Sequence, residues 1–252
     1  MKTIAIIQAR MASSRLPGKI LKDIHGKPML QYELERLRKI PSLDEIVVAT
    51  TRSAADDAVA DFCGRFGALA YRGSEHDVLS RYYEAARLYG ADVVVRFTAD
   101  CPLVDPCLSE RVIRHYLDEA GSFDYCSVDV KETTRPYPRG MDTEVFSMKA
   151  LAEAHAEGVS QAEREHVTYF IYNRPARYRI WFATADRDLS NYRLTVDAPE
   201  DFELVGEIIN YFARAKPAKP NFALKDIIAL LDGNPKLANL NKSVRQKELK
   251  KS

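Results

Sequence analysis

Residues 3–19 read TIAIIQARMASSRLPGK, a short apolar run followed at once by a loop of small and basic residues. Comparable apolar runs recur as EIVVAT at 45–50 and DVVVRFT at 92–98. Runs that are apolar at consecutive positions are typical of strands covered on both faces, as in parallel sheets flanked by helices. These three runs therefore predict the central strands of an α/β sheet.

Predicted helices alternate with the strands through residue 119, as expected for a parallel sheet. The helices span 28–39, 53–65, 77–89 and 106–119, and a short strand covers 68–71. Beyond residue 120 the pattern is mixed, with strands predicted at 124–128, 143–147, 179–183 and 192–196 and helices near 147–157, 161–173 and 199–214. The predicted fold class is α/β, a Rossmann-like mixed, mostly parallel sheet flanked by helices. In such sheets ligands bind outside the carboxyl ends of the strands.

The sequence predicts one domain over residues 1–214, because no segment rich in Gly, Ser or Pro interrupts the first 213 residues. The sequence AKPAKPN at 215–221 is typical of a linker. A short amphipathic helix and a polar, basic tail follow through residue 252. We expect this tail to be a flexible, solubilising end rather than a binding arm.

Charge and composition exclude several classes of protein. The chain of 252 residues carries 37 Lys and Arg against 36 Asp and Glu, a formal net charge of +1. With this balance the protein has no overall positive potential of the kind that general nucleic-acid binders carry. Its 4 cysteines form no CxxC pair, and no apolar run approaches transmembrane length or forms the core of a signal peptide. We therefore expect a cytoplasmic protein that neither binds nucleic acid nor inserts into a membrane.

The loop after the first strand, ARMASSRLPGK at 9–19, has the composition of a phosphate-binding segment. Small residues let backbone N–H groups approach an anion, and Gly18 can adopt backbone angles closed to other residues. Arg15 and Lys19 can neutralise a polyphosphate. The spacings GxxxxGK(S/T) and GxGxxG are absent, which argues against a Walker ATPase and an NAD enzyme. From composition alone, a solvated basic loop is the alternative.

The longer segment QARMASSRLPGKILKDIHGKPML at 8–30 resembles the opening signature of the sugar cytidylyltransferases, which include CMP-Kdo synthetase and acylneuraminate cytidylyltransferase. It looks in particular like the SpsF-like branch, named for spore-coat polysaccharide biosynthesis. The resemblance implies a GT-A-like nucleotidyltransferase fold, with a nucleotide half over about 1–120 and a sugar half over about 121–214. It also implies that the loop wraps the triphosphate of CTP, with Arg15 and Lys19 on its phosphates. The implied nucleotide-binding residues are Ala9, Arg10, Met11, Ser13, Arg15, Gly18, Lys19, Arg81 and Asp100.

The resemblance also covers two aspartates at the ends of predicted strands. Asp100, in RFTADCPLVDP, stands where the family's metal-binding aspartate stands, and Asp197 belongs to the similar run VDAPED. Taken alone, Asp100 also fits a turn or helix N-cap, and Asp197 fits a helix start with Pro199 at the first position. Two carboxylates completed by a triphosphate suit Mg²⁺. We therefore expect Mg²⁺ held by Asp100 and Asp197, which form the catalytic set with Arg15 and Lys19.

A further block, GSEHDVLSRYYEAA at 73–86, resembles the same family and implies that Arg81 lies near the nucleotide. Val78, Tyr82 and Ala85 recur at helical spacing, so a core-facing helix with Arg81 on its surface is the alternative. We place Arg81 in the nucleotide site.

Two blocks in the second half, RGMDTEVFS at 139–147 and AEREHVTYFIYNRP at 162–175, resemble SpsF-like sequences and not CMP-Kdo synthetases. The resemblance implies that these blocks carry the sugar. Carboxylates that alternate on one strand face can accept sugar hydroxyls, and arginines can bind a carboxylate through two hydrogen bonds. A charged helix turn and solvated strand residues are the alternative. The candidate substrate-binding residues are Arg139, Asp142, Glu144, Arg164, Glu165 and His166.

Together these motifs imply a Mg²⁺-dependent cytidylyltransferase that activates a sugar acid, of the nonulosonic-acid kind, for surface polysaccharide or glycan biosynthesis. CTP and the sugar acid are its expected partners, CMP-sugar and pyrophosphate its products, and no side-chain general base is required. Thr98, Ala99 and Cys101 depart from the Gln, Gly and Glu that CMP-Kdo synthetases carry there, which leaves the sugar open. The alternatives are a GT-A-type glycosyltransferase and a non-catalytic sugar-nucleotide-binding protein. Related enzymes are often dimers, and exposed apolar residues of the late helices could form a homodimer interface.

Overall fold

The computed structural model describes residues 1–119, 121–128, 135–215 and 222–246. The strands are β1 (Thr3–Gln8), β2 (Asp23–Ile24), β3 (Lys27–Pro28), β4 (Glu45–Thr51), β5 (Leu69–Gly73), β6 (Val93–Thr98), β7 (Tyr125–Ser127), β8 (Glu144–Ser147) and β9 (Ile180–Phe182). The α-helices are α1 (Met29–Leu37), α2 (Asp57–Phe66), α3 (Val78–Tyr89), α4 (Pro106–Asp118), α5 (Met148–Glu157), α6 (Gln161–Glu165), α7 (Tyr169–Tyr172), α8 (Pro199–Ala215), α9 (Leu224–Asp232) and α10 (Pro235–Ala238).

Seven of the strands form one sheet in the order β5-β4-β1-β6-β8-β7-β9. The strands β5, β4, β1 and β6 run parallel, as the three apolar runs predicted. The strand β8 pairs antiparallel with β6 and with β7, and β9 is parallel to β7. The predicted Rossmann-like mixed, mostly parallel sheet is confirmed.

Each central strand supplies side chains to two cores, one on each face of the sheet. Ala5 and Ile7 of β1 pack in the larger core with residues of α1, α4, α8 and α9. Ile4 and Ile6, the alternate residues of the same strand, pack in the smaller core with α3 and α5. Alternate side chains of a strand point to opposite faces, so burial on both faces requires an apolar residue at every position.

Two predicted elements of the second half differ from the structure. The strand predicted at 192–196 is not part of the sheet: Leu194 N donates to Arg139 O at 2.7 Å, and Val196 N donates to Asp100 O at 2.8 Å. This extended segment therefore pairs with two loops and forms a single bridge between Arg139 and Arg193. The helix predicted at 161–173 is broken into α6 and α7, because Val167 adopts a positive φ of 38°.

The C-terminal segment packs against the body of the protein through residue 246. Leu224, Ile227 and Leu231 of α9 are buried in the larger core. Asn241 is also buried. Part of the segment 236–246 therefore has contacts with the body of the protein that the tail's composition does not reveal. A flexible, solubilising end stays a prediction for the basic tail.

The predicted linker lies outside the described residues, except for Ala215 at the end of α8, and so does the last part of the basic tail, residues 247–252. The boundary between a domain at 1–214 and an appendage at 215–252 stays a prediction. Within the described ranges, no helix combines the length and apolar character that a membrane span requires.

Candidate active site

Two acidic and two basic side chains meet beyond the carboxyl ends of β1 and β6. The Nζ of Lys19 lies 3.3 Å from Asp100 Oδ2 and 3.2 Å from Asp197 Oδ1. The Nη2 of Arg15 lies 2.9 Å from Asp197 Oδ2. The structure thus brings together the four residues predicted as the catalytic set, and we call Arg15, Lys19, Asp100 and Asp197 the Lys19 cluster.

The charges of the Lys19 cluster stabilise one another in a partly buried setting. Burial lowers the pKa of the Lys19 ammonium, but the charges of Asp100 and Asp197 outweigh burial, so the pKa is raised. Burial raises the pKa of Asp197, and the charges of Lys19 and Arg15 reverse this effect, so its pKa is lowered. Lys19 and Asp197 are therefore both ionised at neutral pH, because each supplies the charge that the other requires.

The segment before α8 is tied to the turn after β6, and this explains why Asp100 and Asp197 are close. The carbonyl oxygen of Asp100 accepts hydrogen bonds from Val196 N at 2.8 Å and from Thr195 Oγ1 at 3.2 Å. The Nζ of Lys19 also donates to Val196 O. Residues that are nearly one hundred positions apart in the chain are thereby held around one ammonium group.

The loop that carries Arg15 and Lys19 folds back on itself. Gly18 N donates to Met11 O at 2.9 Å, and Gly18 has a φ of 69°, in the left-handed region that favours glycine. Within the loop, Ser13 Oγ accepts a hydrogen bond from Leu16 N at 3.4 Å. Since these contacts are internal, the loop holds its two cations toward the carboxylates without help from a ligand.

The other end of the loop is fixed by Asp56, which lies after β4 and which the sequence analysis did not select. Its Oδ1 accepts a hydrogen bond from Met11 N at 2.6 Å, and its Oδ2 accepts one from Thr51 Oγ1. Asp56 is buried. The signal available in the sequence was an aspartate shortly after a central strand, but many helix starts share that feature.

Beside the loop, predicted nucleotide-binding and sugar-binding residues face the same cavity of about 300 Å³. Ala9 and Arg10 line it from the start of the loop after β1, and Arg81 lines it from α3. Glu165 and His166 line it from the end of α6. A concave site with a few convergent polar groups is the usual form of a small-molecule site. The cavity therefore has the size and lining expected for part of a ligand.

Arg81 is buried and points into this cavity. Its Nη1 donates to Ser74 O at 3.0 Å, but its Nε has no hydrogen-bond partner among the described residues. Burial lowers the pKa of its guanidinium. An unpaired buried donor is costly, but Nε is closed to solvent, so it does not by itself indicate a ligand. The place of Arg81 in the nucleotide site stays a prediction. The alternative of a surface position for Arg81 is excluded by its burial.

The remaining candidate sugar residues have internal partners. Arg164 pairs with Asp77, the N-cap of α3, and also donates to His155 O at 2.9 Å. Asp142 pairs with Arg135. Burial raises the pKa of Asp142, and the charge of Arg135 outweighs burial, so the pKa is lowered. These ion pairs account for both side chains without a ligand, and their roles toward a sugar stay predictions.

Glu144 lies inside the sheet rather than on a solvated strand face. Its side chain is only 11% exposed and pairs with Arg96 of β6. Its Oε2 accepts hydrogen bonds from Tyr125 and Thr168, so its acceptor capacity is largely used by the protein. Arg139, the other candidate, lines a separate cavity of about 450 Å³ next to the C-terminal segment.

A second residue that no sequence motif marked, the basic Arg193, also contacts the Lys19 cluster. Its Nη2 lies 2.6 Å from Asp197 Oδ2, and its Nε lies 2.9 Å from Asp201 Oδ1. Asp201 is fully buried. The available signal was the spacing of four residues from Arg193 to Asp197 and from Asp197 to Asp201. It was obscured because Arg193 lies in the predicted strand at 192–196 and Asp201 in the predicted helix that begins at 199.

The donor set of the Lys19 cluster fits a hard divalent cation. Asp100 and Asp197 each place an oxygen within 3.3 Å of the same ammonium nitrogen, so the two carboxylates already converge on one positive charge. In the part of the chain that the structure describes, no group of three His, Cys, Asp or Glu side chains is placed to hold a metal. A cation between the two aspartates would therefore take its other ligands from phosphate or water, as Mg²⁺ commonly does.

Comparison with known proteins agrees with this geometry. The family model described as Cytidylyltransferase matches residues 4–244. The spore coat polysaccharide biosynthesis protein SpsF of Bacillus subtilis is 31% identical over 240 residues, which cover 92% of this chain and 95% of that protein. The 3-deoxy-manno-octulosonate cytidylyltransferase of Geobacter sulfurreducens is 39% identical over 114 residues, 45% of this chain and 44% of that protein. A solved cytidylyltransferase from Leptospira borgpetersenii superimposes with a TM-score of 0.89 at 32% identity, over 98% of this chain and 100% of that one.

Proposed function

Because this chain belongs to the cytidylyltransferase family and is a nucleotidyltransferase, we propose that it transfers the cytidylyl group of CTP to a hydroxyl of a sugar acid. The products are a CMP-sugar and pyrophosphate. The observation that carries the proposal is the Lys19 cluster, beyond the carboxyl ends of β1 and β6. It brings together two cations suited to binding phosphate and two carboxylates suited to binding a metal ion.

In the proposed reaction the sugar hydroxyl forms a bond to the α-phosphorus of CTP. The bond between the α-phosphorus and the oxygen that bridges to the β-phosphate breaks, pyrophosphate leaves, and the hydroxyl proton passes to solvent. The reaction depends mainly on positioning and on neutralising phosphate charge. Mg²⁺ bound by Asp100 and Asp197 would polarise the phosphate and lower the pKa of the attacking hydroxyl.

The side chains of the Lys19 cluster have separable tasks in this proposal. Asp100 and Asp197 hold the cation, and Arg15 and Lys19 neutralise the triphosphate and then the leaving pyrophosphate. In the absence of ligand, the two cations pair with the carboxylates instead. Binding of CTP with Mg²⁺ therefore exchanges one set of compensated charges for another, and no group in the cluster is left unpaired.

The cavity of about 300 Å³ provides the proposed place for the remainder of the substrates. Among its lining residues, we assign Arg10 and Arg81 to the nucleotide and Glu165 and His166 to the sugar. The names of the SpsF and octulosonate relatives support a sugar acid as acceptor and surface polysaccharide as its destination. A nonulosonic-acid-like sugar is the specific acceptor we propose.

The test is pyrophosphate release from CTP, UTP, ATP and GTP with Mg²⁺, in the presence of nonulosonic acids, Kdo or simple hexose phosphates. We expect release with CTP and one sugar acid only. Release of a nucleoside diphosphate from a nucleotide sugar would instead show a glycosyltransferase. Nucleotide binding without turnover on any acceptor would favour a non-catalytic sugar-nucleotide-binding protein.

A matched pair of lysine variants distinguishes a specific role of Lys19 from a general effect of positive charge in the segment. Lys19→Met removes the ammonium between the carboxylates, whereas Lys22→Met removes an exposed cation three residues later. We expect the first variant to lose roughly 10²-fold or more in turnover, as when one stabiliser of transition-state charge is removed. The second variant should keep wild-type turnover. Equal turnover in both variants would contradict the role assigned to Lys19.

A further inference from the structure

We propose that Arg193 is a positioning residue for the Asp197 carboxylate, and that the C-terminal segment 239–246 completes the active site by holding Arg193. The inference rests on the proposed role of Asp197 in holding the metal. It assigns a function to a part of the chain that the sequence favours as a solubilising tail.

Arg193 links Asp197 to a buried anchor. Its Nη2 lies 2.6 Å from Asp197 Oδ2, and its Nε donates to Asp201 Oδ1 at 2.9 Å. The Arg193 side chain is 10% exposed, and the Asp201 side chain is fully buried. A guanidinium fixed at two of its nitrogens has little freedom to turn away from Asp197.

Asp201 is itself fixed by the backbone that carries Asp197. Its Oδ2 accepts hydrogen bonds from Asp197 N at 2.9 Å and from Ala198 N at 3.0 Å, at the start of α8. Both amides precede Pro199, the first residue of α8, so Asp201 binds back to the turn that leads into its own helix. The side chain of Asp197 and its own backbone amide are therefore held by the same Arg193–Asp201 pair.

The C-terminal segment closes this network from the opposite side. Asn241 donates from Nδ2 to Asp201 Oδ1 at 2.8 Å and to Arg193 O at 3.0 Å, and it is buried. Gln246 Oε1 accepts a hydrogen bond from Arg193 Nη1 at 2.7 Å. All three guanidinium nitrogens of Arg193 thus have partners, two of them in the α8 turn and one in the C-terminal segment.

Arg193 differs from the other two cations that contact Asp197. Arg15 and Lys19 belong to the loop after β1 and are assigned to the triphosphate, so they leave Asp197 when the substrate binds. Arg193 lies outside that loop, and its remaining partners are groups of the protein. It is therefore the cation that keeps the Asp197 carboxylate oriented when the metal and the nucleotide are bound.

The test measures how binding of a non-reacting nucleotide depends on metal, which a purely structural role would not change. The affinity for α,β-methylene-CTP is measured by titration calorimetry over a range of Mn²⁺ concentrations, with the full-length chain. We expect Arg193→Gln and Asn241→Ala to raise the Mn²⁺ concentration for half-maximal binding by about 10- to 100-fold, the effect of removing a residue that orients a metal ligand. Arg193→Lys should recover part of the loss, and Lys236→Ala, in the same basic tail, should match the wild type.

Two results would overturn the inference in distinguishable ways. If Arg193→Gln and Asn241→Ala lower the melting temperature while keeping the wild-type dependence on Mn²⁺, the two residues have only a structural role and the proposed function stands. If nucleotide binding by the wild type is independent of Mn²⁺, or Asp197→Asn keeps the wild-type dependence, the metal site fails together with this inference. Asn241→Ala keeps the test decisive should Arg193→Gln not fold.

Discussion

At the scale of single residues, Glu33 is a carboxyl group buried without an ion-pair partner among the described residues. It lies on α1 and is fully buried, and no side chain of the described residues forms a hydrogen bond with its carboxyl oxygens. Burial, followed by the negative charge of Asp100, raises its pKa well above the ordinary value. The backbone of Cys101 and the charge of Lys19 lower its pKa, but by less than burial raises it. Glu33 therefore keeps its proton in the folded protein to a higher pH than in the unfolded chain.

This difference predicts that Glu33→Gln becomes progressively more stable than the wild type as pH rises above 4.5, the ordinary pKa of the side chain. Between pH 4.5 and the raised pKa of folded Glu33, the folded wild type retains a proton that the unfolded chain releases. In that range its free energy of unfolding falls by about 1.4 kcal/mol per pH unit relative to the variant. Below pH 4.5 both states hold the proton and the difference is constant. Urea denaturation at a series of pH values measures it.

Glu35, on the same helix, provides a control of opposite sign. Burial raises its pKa, but hydrogen bonds from Lys27 and Gln31 outweigh burial, so the pKa is lowered. Its contribution to stability is present above the ordinary pKa and is lost as pH falls, so Glu35→Gln should be less stable than the wild type at neutral pH. A difference between Glu33→Gln and the wild type that does not vary with pH would show that Glu33 is ionised in the fold.

Single residues were predictable from sequence where a motif marked them. Arg15, Lys19 and Asp100 belong to segments that follow strands, and strand ends share one edge of a parallel sheet, so their meeting was foreseeable. The ion pair between Glu144 and Arg96 was not, because it depends on the register of β8 against β6. No local pattern specifies the register of strands separated by 48 positions in the chain.

At the scale of elements, the start of α6 is fixed by hydrogen bonds and an ion pair of Glu163. The helix α6 begins with a capping box, in which Ser160 Oγ accepts from Glu163 N and Glu163 accepts from Ser160 N. Arg174 also donates to Glu163 at 2.7 Å. Burial raises the pKa of Glu163, but these hydrogen bonds outweigh it and lower the pKa to about 2.

The capping box predicts a stability difference that depends on pH. Glu163→Gln should be less stable than the wild type at pH 6, because it lacks the charge that Ser160 and Arg174 stabilise. The wild-type advantage is present above pH 4.5 and is lost as pH falls toward about 2, where the folded carboxylate takes up a proton. Thermal unfolding from pH 2 to 6 measures the difference. An advantage of equal size at both ends of that range would contradict the assignment.

Val167 produces the break between α6 and α7 and predicts an unusual order of stability. It is buried with a φ of 38°, and left-handed backbone costs an L-residue with a Cβ roughly 1–2 kcal/mol. Val167→Ala and Val167→Gly both lose the packing of the valine, but only glycine also relieves the backbone. We expect the glycine variant to be more stable than the alanine variant by about 1 kcal/mol, the reverse of the usual helix order. Chemical denaturation compares them, and the usual order would contradict this account.

Elements were predictable where hydrophobic periodicity was strong. The runs that became β1, β4 and β6 are buried on both faces, which leaves a continuous apolar signal. The segment 192–196 has a similar composition, but it forms hydrogen bonds with loops rather than with a strand. Composition reports that a segment is extended and buried, but it does not report which partner completes its hydrogen bonds.

At the scale of the whole molecule, the two faces of the sheet carry the hydrophobic cores, and the carboxyl ends of its strands carry the candidate site. The two cores on its faces hold the strands in place, and the edge beyond β1 and β6 carries the Lys19 cluster. The C-terminal segment crosses back to this edge, where Arg245 O accepts a hydrogen bond from Arg15 Nη1 at 2.9 Å. The fold class was predictable from the sequence, whereas this return was not, because polar residues such as Asn241 and Gln246 lack periodicity.

The most direct test of the account is turnover of CTP and a sugar acid by Asp100→Asn and Asp197→Asn. Both substitutions keep the shape of the side chain and remove its negative charge, and Asp118→Asn, at an exposed site on α4, is the control. We predict that each active-site variant stays folded and loses roughly 10²-fold or more in pyrophosphate release with Mg²⁺. The control should keep the wild-type rate. Near-normal turnover in both variants would contradict the central claim that these two carboxylates hold the metal for cytidylyl transfer.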